Sequence, residues 1–390
     1  MRIVYIHQYF KTPQEGGAVR SWHLANALAA DGHEVLVITS HNKESGVRYF
    51  GNLKVHYVKV AYDNTFSFSK RIKAFLSFFY KALRIIISEK RPDLLFATST
   101  PLTVGILALT IRKLKGIPYF FEVRDLWPLV PEEMGIIKNR FILKAAYFCE
   151  KRIYINSEKI IALSPPISAN ISAKINDKRK VICIPNFSDC EYFVTDKNSH
   201  SEKYPFLNGK FVIGYFGAAG KANDLLRLAA AAVYFKNTGK RNVVFLFKSA
   251  GAELASIKRY AKEHDLDNII FSEFQDKENI RDALTLCDAS YVSYADYPSL
   301  WTGSPNKFFD GIAAGKLIIL NFEGWIKDIV EEYGCGFYYD RYKPEQLWEK
   351  LEPYLNNSEL LQKAQVNSRR LALESFSKKE LVSKFLTLFR

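Results

Sequence analysis

The chain has 390 residues, of which 48% are hydrophobic and 25% charged, and it carries a net charge of +14. That length is comfortable for two domains rather than one core, and the composition is that of a globular protein, not a disordered or fibrous one. The longest apolar stretch, Pro101 to Ile111, is too short to span a bilayer and ends at Arg112-Lys113.

In chain order, Arg2 to Ile6 is a short apolar run that enters Gly16-Gly17. A helical segment follows (Trp22, Leu24, Ala25, Ala27, Leu28), broken at Asp31-Gly32-His33, and Val35 to Ile38 is a second buried-type strand. Met1-Arg2 leads directly into the first strand, with no leader expected. Strand, turn, helix and strand make a βαβ unit and imply a parallel sheet. Glycines between strand and helix let backbone N–H groups approach a phosphate. Phe66 to Arg91 reads as an amphipathic helix with seven basic residues (Lys70, Arg71, Lys73, Lys81, Arg84, Lys90, Arg91) and one acid, Glu89. Lys70, Lys73, Lys81 and Arg84 fall on one stripe; Phe75, Phe78, Phe79, Ala82, Ile85 and Ile86 lie largely on other faces.

Pro92 to Ala97 is the next strand, and Thr98 to Pro101 offers N-cap residues for a helix. Pro118 to Val123 is a buried strand ending in Arg124-Asp125-Leu126-Trp127-Pro128. Lys159 to Leu163 ends in Ser164-Pro165-Pro166, and Val181 to Ile184 in Pro185-Asn186. The polar segment Thr195 to Tyr204 reads as an interdomain linker. The opening plan then recurs: strand Phe211 to Phe216, small-residue turn Gly217 to Gly220, helix Ala222 to Val233, strand Val243 to Phe247. Two Rossmann-like lobes facing a shared cleft follow, and ligands of such sheets bind beyond the carboxyl ends of the strands.

The cations are unevenly distributed. Residues 1–185 hold 28 Lys and Arg against 14 Asp and Glu, whereas residues 186–390 hold 27 of each. A one-sided basic lobe calls for an anionic partner. Zinc-finger spacing, a helix-turn-helix cue and RNP-like aromatics are all missing, which disfavours nucleic acid. The basic, aromatic-rich helix favours an anionic membrane surface. The five cysteines (149, 183, 190, 287, 335) show neither CxxC nor Cys/His metal spacing, so reduced cytoplasmic thiols are expected and no metal site.

Six segments together resemble the retaining GT-B glycosyltransferases of family 4, in particular the bacterial surface-polysaccharide branch that includes the WbuB-like enzymes. They are IHQYF…GGAVRSWHLANALAADGHEVLVIT at 6–39, FEVRDLWP at 121–128, IPNFSD at 184–189, GYFGAAGKANDL at 214–225, CDASYVSY at 287–294 and SPNKFFDGIAAGKLII at 304–319. The resemblance covers nearly the whole chain. It implies an α/β GT-B fold with a membrane-facing acceptor domain at 1–190, a nucleotide-sugar domain at 205–375, and a C-terminal helix at 376–390 crossing back to the first. It also implies metal-independent transfer, with retention, from a nucleotide-diphosphate sugar to an acceptor; the donor is expected to be a UDP-sugar, an N-acetylated hexosamine or deoxy derivative, and the acceptor, from the basic first lobe, a polyprenyl-diphosphate-linked glycan. The enzyme is then expected in the cytoplasm, peripheral on the inner face of the plasma membrane, with no cofactor besides its donor.

Without a metal, cations and helix N-termini must stabilise the departing diphosphate. Lys221, after a glycine turn, and Lys307, in Ser304-Pro305-Asn306-Lys307 before a helix Phe308 to Ala314, are the expected contacts. Gly16, Gly17, Gly217 and Asn306 complete the donor site. The family's paired glutamates fall on Thr302 and Asp310; Asp310 keeps a shorter carboxylate for the ribose, while Thr302 cannot supply one. Arg124 stands where the family often has a histidine. Glu122, Arg124 and Asp125 are the candidate catalytic group, although a structural ion pair is the competing reading. Arg20 is expected to reach an anionic acceptor, and Lys70, Arg71, Lys73, Lys81 and Arg84 the membrane. Two other readings stay open: a non-hydrolysing nucleotide-sugar epimerase and a non-catalytic membrane partner. A nicotinamide dehydrogenase is disfavoured because the first loop lacks G-x-G-x-x-G.

Overall fold

The computed structural model describes the chain apart from residues 16, 64, 195–206, 208 and 274–275. Gly16 and the linker expected at 195–204 therefore lie outside the described residues. Two sheets form. The first contains β1 (Arg2–Ile6), β2 (Glu34–His41), β3 (Gly46–Phe50), β4 (Leu53–Lys59), β5 (Leu94–Thr98), β6 (Tyr119–Val123), β7 (Lys159–Ala162) and β8 (Val181–Cys183), in the order β3-β4-β2-β1-β5-β6-β7-β8. Only β3 runs antiparallel to its neighbour. The β3–β4 hairpin was not foreseen, although Leu53, Val55 and Tyr57 alternate with Lys54 and His56 as in a half-covered strand.

The second sheet is wholly parallel. It contains β9 (Phe211–Ala218), β10 (Val243–Ala250), β11 (Ile269–Glu273), β12 (Ala289–Val292), β13 (Leu317–Leu320) and β14 (Gly336–Tyr338), in the order β11-β10-β9-β12-β13-β14. The central strands β1, β5, β6, β12 and β13 are almost entirely buried. Continuous apolar runs are what a sheet covered by helices on both faces demands.

One face of the first sheet packs against the helices Phe68–Ser88, Leu102–Lys115, Arg140–Asn156 and Pro165–Ile175. The other face takes the helix Arg20–Ala30 and the C-terminal segment. There Phe385 and Phe389 stack on Phe96 and Phe120. Lys384 Nζ donates to the Cys183 carbonyl at 3.0 Å.

Two helix starts differ from the sequence reading. The helix expected from Ala222 begins at Leu226, since Asp224 adopts φ +48° and ends a turn before it. The helix expected from Phe308 begins at Asn306, which puts Lys307 in its first turn. The helix after β5 is preceded by Pro101, with no Ser or Thr side chain capping it.

Candidate active site

The lobes meet where the turn Gly303–Pro305 enters the helix Asn306–Ala313. Asn186 Nδ2 donates to the Ser304 carbonyl at 2.5 Å, and Asn186 N to Ser304 Oγ at 3.1 Å. Ser164 Oγ donates to the Thr302 carbonyl, and Glu133 accepts from Ser299 N at 2.9 Å. These bonds fix the opening between the strand ends of the two sheets. A cavity of about 410 Å³ lies there, lined from the first lobe by Gly17 and Ala18 and from the second by Gly217, Tyr294, Asn306, Lys307 and Asp310, among others.

Lys307 is the most unusual group in it. Its Nζ donates to Tyr215 Oη at 2.8 Å and sits 4.4 Å from the centre of the Tyr215 ring. With the Asn223 amide oriented so that Nδ2 donates to the Ala218 carbonyl, Asn223 Oδ1 accepts from Lys307 at 3.2 Å. No carboxylate pairs with Lys307 among the described residues. Burial without a counter-charge pushes its pKa down to about 7. An ammonium so placed lacks an anion. The N-terminus of the helix Asn306–Ala313 adds backbone N–H groups beside it. Gly217 has φ +143°, and a side chain there would meet Lys307 Cε at 3.4 Å, so glycine keeps the approach open. Gly17, on the opposite wall, has φ +87°, a backbone conformation that favours glycine.

Asp310 is less free than expected. Lys277 Nζ reaches its two oxygens at 2.6 and 2.7 Å. Burial raises the Asp310 carboxyl and the lysine opposes that shift. Lys277 was missed, because 33 residues separate it from its partner and no motif surrounds it. It also lines a second, smaller cavity of about 120 Å³ with Asn306, Asp310, His23 and Asn186. Thr302 only closes its own turn, donating from Oγ1 to the Ser299 carbonyl at 2.7 Å.

The first-lobe group divides. Glu122 is fully buried and accepts from Arg20 Nε at 2.9 Å and from Thr98 Oγ1 at 3.1 Å. Arg20 also donates from Nη1 to the Pro185 carbonyl at 2.5 Å and from Nη2 to the Ile184 carbonyl at 3.0 Å. Rather than standing free, as expected for an acceptor contact and a catalytic acid, the two form a buried pair that ties the helix Arg20–Ala30 to β6 and to the segment after β8, and Arg20 also lines the smaller cavity. The signal was available in principle, since Glu122 belongs to a strand whose every residue is buried.

Arg124 and Asp125 lie beyond the strand end and are half-buried. The Arg124 side chain has no ion pair among the described residues; its backbone N–H donates to Ser99 Oγ at 3.0 Å. Burial raises the Asp125 carboxyl, and the nearby Arg124 opposes it. The charges of Asp125 and Arg124 both reach Tyr294 of the second lobe, which lines the cavity, but neither residue lines it itself. His7 is buried, its pKa driven well down by desolvation and by Arg124, so its imidazole is neutral. Lys221 is not brought to this group. It is exposed on the turn before the helix Leu226–Asn237, where its charge acts on Glu253, and it does not line the cavity.

On the outer helix Phe68–Ser88, Lys70, Lys73, Lys81 and Arg84 are exposed, while Phe75, Phe78, Ala82 and Ile86 are buried. Arg71 is turned inward, donating to the Phe66 carbonyl at 2.9 Å, and does not belong to the stripe. The same outer face also exposes Phe68, Ile72, Leu76 and Tyr80, which a reading focused on the cations overlooked. No helix among the described residues is long and apolar enough to cross a membrane.

Residues 15–186 match the family described as glycosyl transferase 4-like domain, and residues 196–371 the family glycosyl transferases group 1. A probable glycosyltransferase WbjE of Pseudomonas aeruginosa is 24% identical over 273 residues, 66% of this chain; the match spans 65% of that relative's length. Among solved structures, a sucrose-phosphate synthase of Thermosynechococcus elongatus superposes with a TM-score of 0.82 at 16% identity, covering 100% of this chain and 98% of that one. HepE of Anabaena, in complex with UDP-glucose, superposes with a TM-score of 0.73 at 14% identity and 99% coverage of both chains.

Proposed function

We infer, for a chain that is a GT-B glycosyltransferase, that it moves a sugar from a UDP-sugar to a polyprenyl-diphosphate-linked glycan during surface-polysaccharide synthesis, with retention at the anomeric carbon. The observation that carries the reading is Lys307: a half-buried, strongly desolvated amine with no carboxylate partner among the described residues, facing the interlobe cavity beside a helix N-terminus. Breaking the glycosidic bond leaves positive charge on the sugar and negative charge on the departing diphosphate. Lys307 and the adjacent backbone N–H groups are preorganised for that negative charge, and Arg124 supplies a second unpaired cation from the facing lobe. The leaving-group charge is thus assigned to side chains, with no metal invoked. An N-acetylated hexosamine or a deoxy derivative is the proposed donor sugar, and the fold's UDP-glucose complex in HepE agrees with a uridine donor.

The acceptor reading rests on charge. The excess of cations lies in the first lobe, and an acceptor anchored by its lipid requires the enzyme to come to the bilayer. Each cation near an anionic surface contributes about 1 kcal/mol; Lys70, Lys73, Lys81 and Arg84 form one such exposed stripe. The proposed location is accordingly peripheral, on the cytoplasmic face of the membrane.

A donor-by-acceptor screen tests the reading. UDP is expected to bind more tightly than GDP, and nucleotide release from a UDP-sugar to require the polyprenyl-diphosphate acceptor. Tighter GDP binding overturns the uridine assignment, and sugar interconversion without acceptor favours an epimerase.

A further inference from the structure

The helix Arg140–Asn156 turns large apolar side chains toward solvent. Phe141 and Phe148 are 74% and 67% exposed, and Ile142 and Ile155 are 49% and 42% exposed. Phe141, Phe148 and Ile155 recur every seventh residue and therefore share one face. The opposite face already holds the helix to the sheet through Glu150, Ile153 and Tyr154. A surface helix with one covered apolar stripe normally presents polar residues outward. This helix has a second apolar stripe that nothing among the described residues covers.

The exposed charges of the helix itself have a single sign. Lys138, Arg140, Lys144, Lys151 and Arg152 are all exposed, and none of them makes an ion pair among the described residues. The helix's one acid, Glu150, is buried and held by Lys174 Nζ at 2.7 and 2.8 Å. The neighbouring helix Leu102–Lys115 ends in exposed Lys113, Leu114 and Lys115. Aromatic rings among unpaired cations fit one kind of surface: an anionic lipid interface, where rings enter the headgroup boundary and cations meet phosphates. A helix of 17 residues is about 25 Å long, enough to lie along such a surface.

Its place in the fold gives the face a consequence. The helix begins shortly after the strand end that carries Arg124 and Asp125. The intervening segment is pinned to the second lobe through Glu133 and Ser299. The basic stripe of Phe68–Ser88 lies on the same side of the sheet, with Leu102–Lys115 packed between the two helices.

We propose that Arg140–Asn156 is a membrane-docking face for anionic bilayers, with Phe141, Phe148 and Ile155 entering the interface. The proposal builds on the membrane-bound acceptor of the proposed function. It adds an inserted contact, separate from the electrostatic stripe on Phe68–Ser88, that sets how the cleft meets the bilayer.

The test uses the full chain and vesicles of phosphatidylglycerol and phosphatidylcholine. The double variant Phe141→Ser/Phe148→Ser should lose at least tenfold in vesicle affinity while its UDP affinity stays at the wild-type value, which controls for folding. In a Phe148→Trp variant, brominated acyl chains should quench fluorescence beyond the wild-type signal. Unchanged vesicle binding by the double variant, or no added quenching, overturns the proposal. A wild-type dimer in lipid-free solution that the double variant abolishes also overturns it, by assigning the face to a second copy. Vesicle binding that depends on Phe141 and Phe148, in an enzyme that uses no polyprenyl-diphosphate acceptor, keeps this face and removes only the acceptor reading.

Discussion

Arg20 and Lys307 are both cations at the interlobe opening, each close to a strand-end glycine turn, yet the two lobes use them in opposite ways. Arg20 is neutralised by Glu122 and donates to two carbonyls besides, bonds that hold a helix against a sheet. Lys307 touches a phenol and an amide and, among the described residues, no carboxylate. A cation with its counter-charge inside the protein belongs to the fold. A cation buried without one is poised for a ligand that brings the charge.

The contrast breaks most visibly at Arg20. Removing one member of a buried ion pair strands the other, at a cost of about 3–5 kcal/mol. Arg20→Met should therefore lower the stability of the first lobe by that amount, seen by calorimetry. Arg20→Met/Glu122→Met should recover much of the loss, because no charge is left stranded. If Arg20 instead served an acceptor, the single variant would keep its melting temperature and lose only acceptor affinity.

Lys307 should show the reverse. Lys307→Met is expected to lower kcat/KM by about 10²–10³, the range for removing one preorganised donor to a developing negative charge, without lowering the melting temperature. The pH dependence follows from its pKa of about 7. The unfolded lysine titrates near 10.4, so between these values the unfolded chain binds the extra proton, and stability rises with pH across that window. A bound diphosphate raises the Lys307 pKa, so donor binding takes up a proton. UDP-sugar affinity should be level below pH 7 and fall up to about tenfold per pH unit above it. Isothermal titration in buffers of differing ionisation enthalpy reads that uptake, and Lys307→Met should abolish it.

The same contrast explains what the sequence could convey. Apolar runs such as Arg2 to Ile6 and Pro118 to Val123 marked the central strands, because a strand buried on both faces has no polar alternation to obscure it. Asn306, Lys307, Gly217 and Gly17 were legible as cavity residues, because glycine turns and helix starts have local signatures. The Arg20–Glu122 pair was not legible because pairing across about a hundred residues leaves no local trace; the Lys277–Asp310 pair, 33 residues apart, escaped for the same reason. On Phe68–Ser88 and Arg140–Asn156, periodicity gives the spacing of apolar side chains but not which of two stripes the sheet will cover.

Lys221 gives the smallest expected effect and the sharpest use of the comparison. Like Lys307 it follows a second-lobe glycine turn, and from sequence alone the two are nearly equivalent. In the fold they are not. Asp224 takes φ +48° and delays the helix to Leu226, so no helix N-terminus stands beside Lys221. The side chain is exposed, and its charge acts on Glu253. Exposed substitutions of this kind fall within about 0.5 kcal/mol, roughly a factor of two in any binding constant. Lys221→Ala should therefore leave donor KM and kcat within twofold of the wild type, measured beside Lys307→Met under the same conditions. A loss of tenfold or more would mean that the turn Gly220–Asp224 folds over the bound donor, and that burial in the unliganded protein is a poor guide to which cation meets the diphosphate.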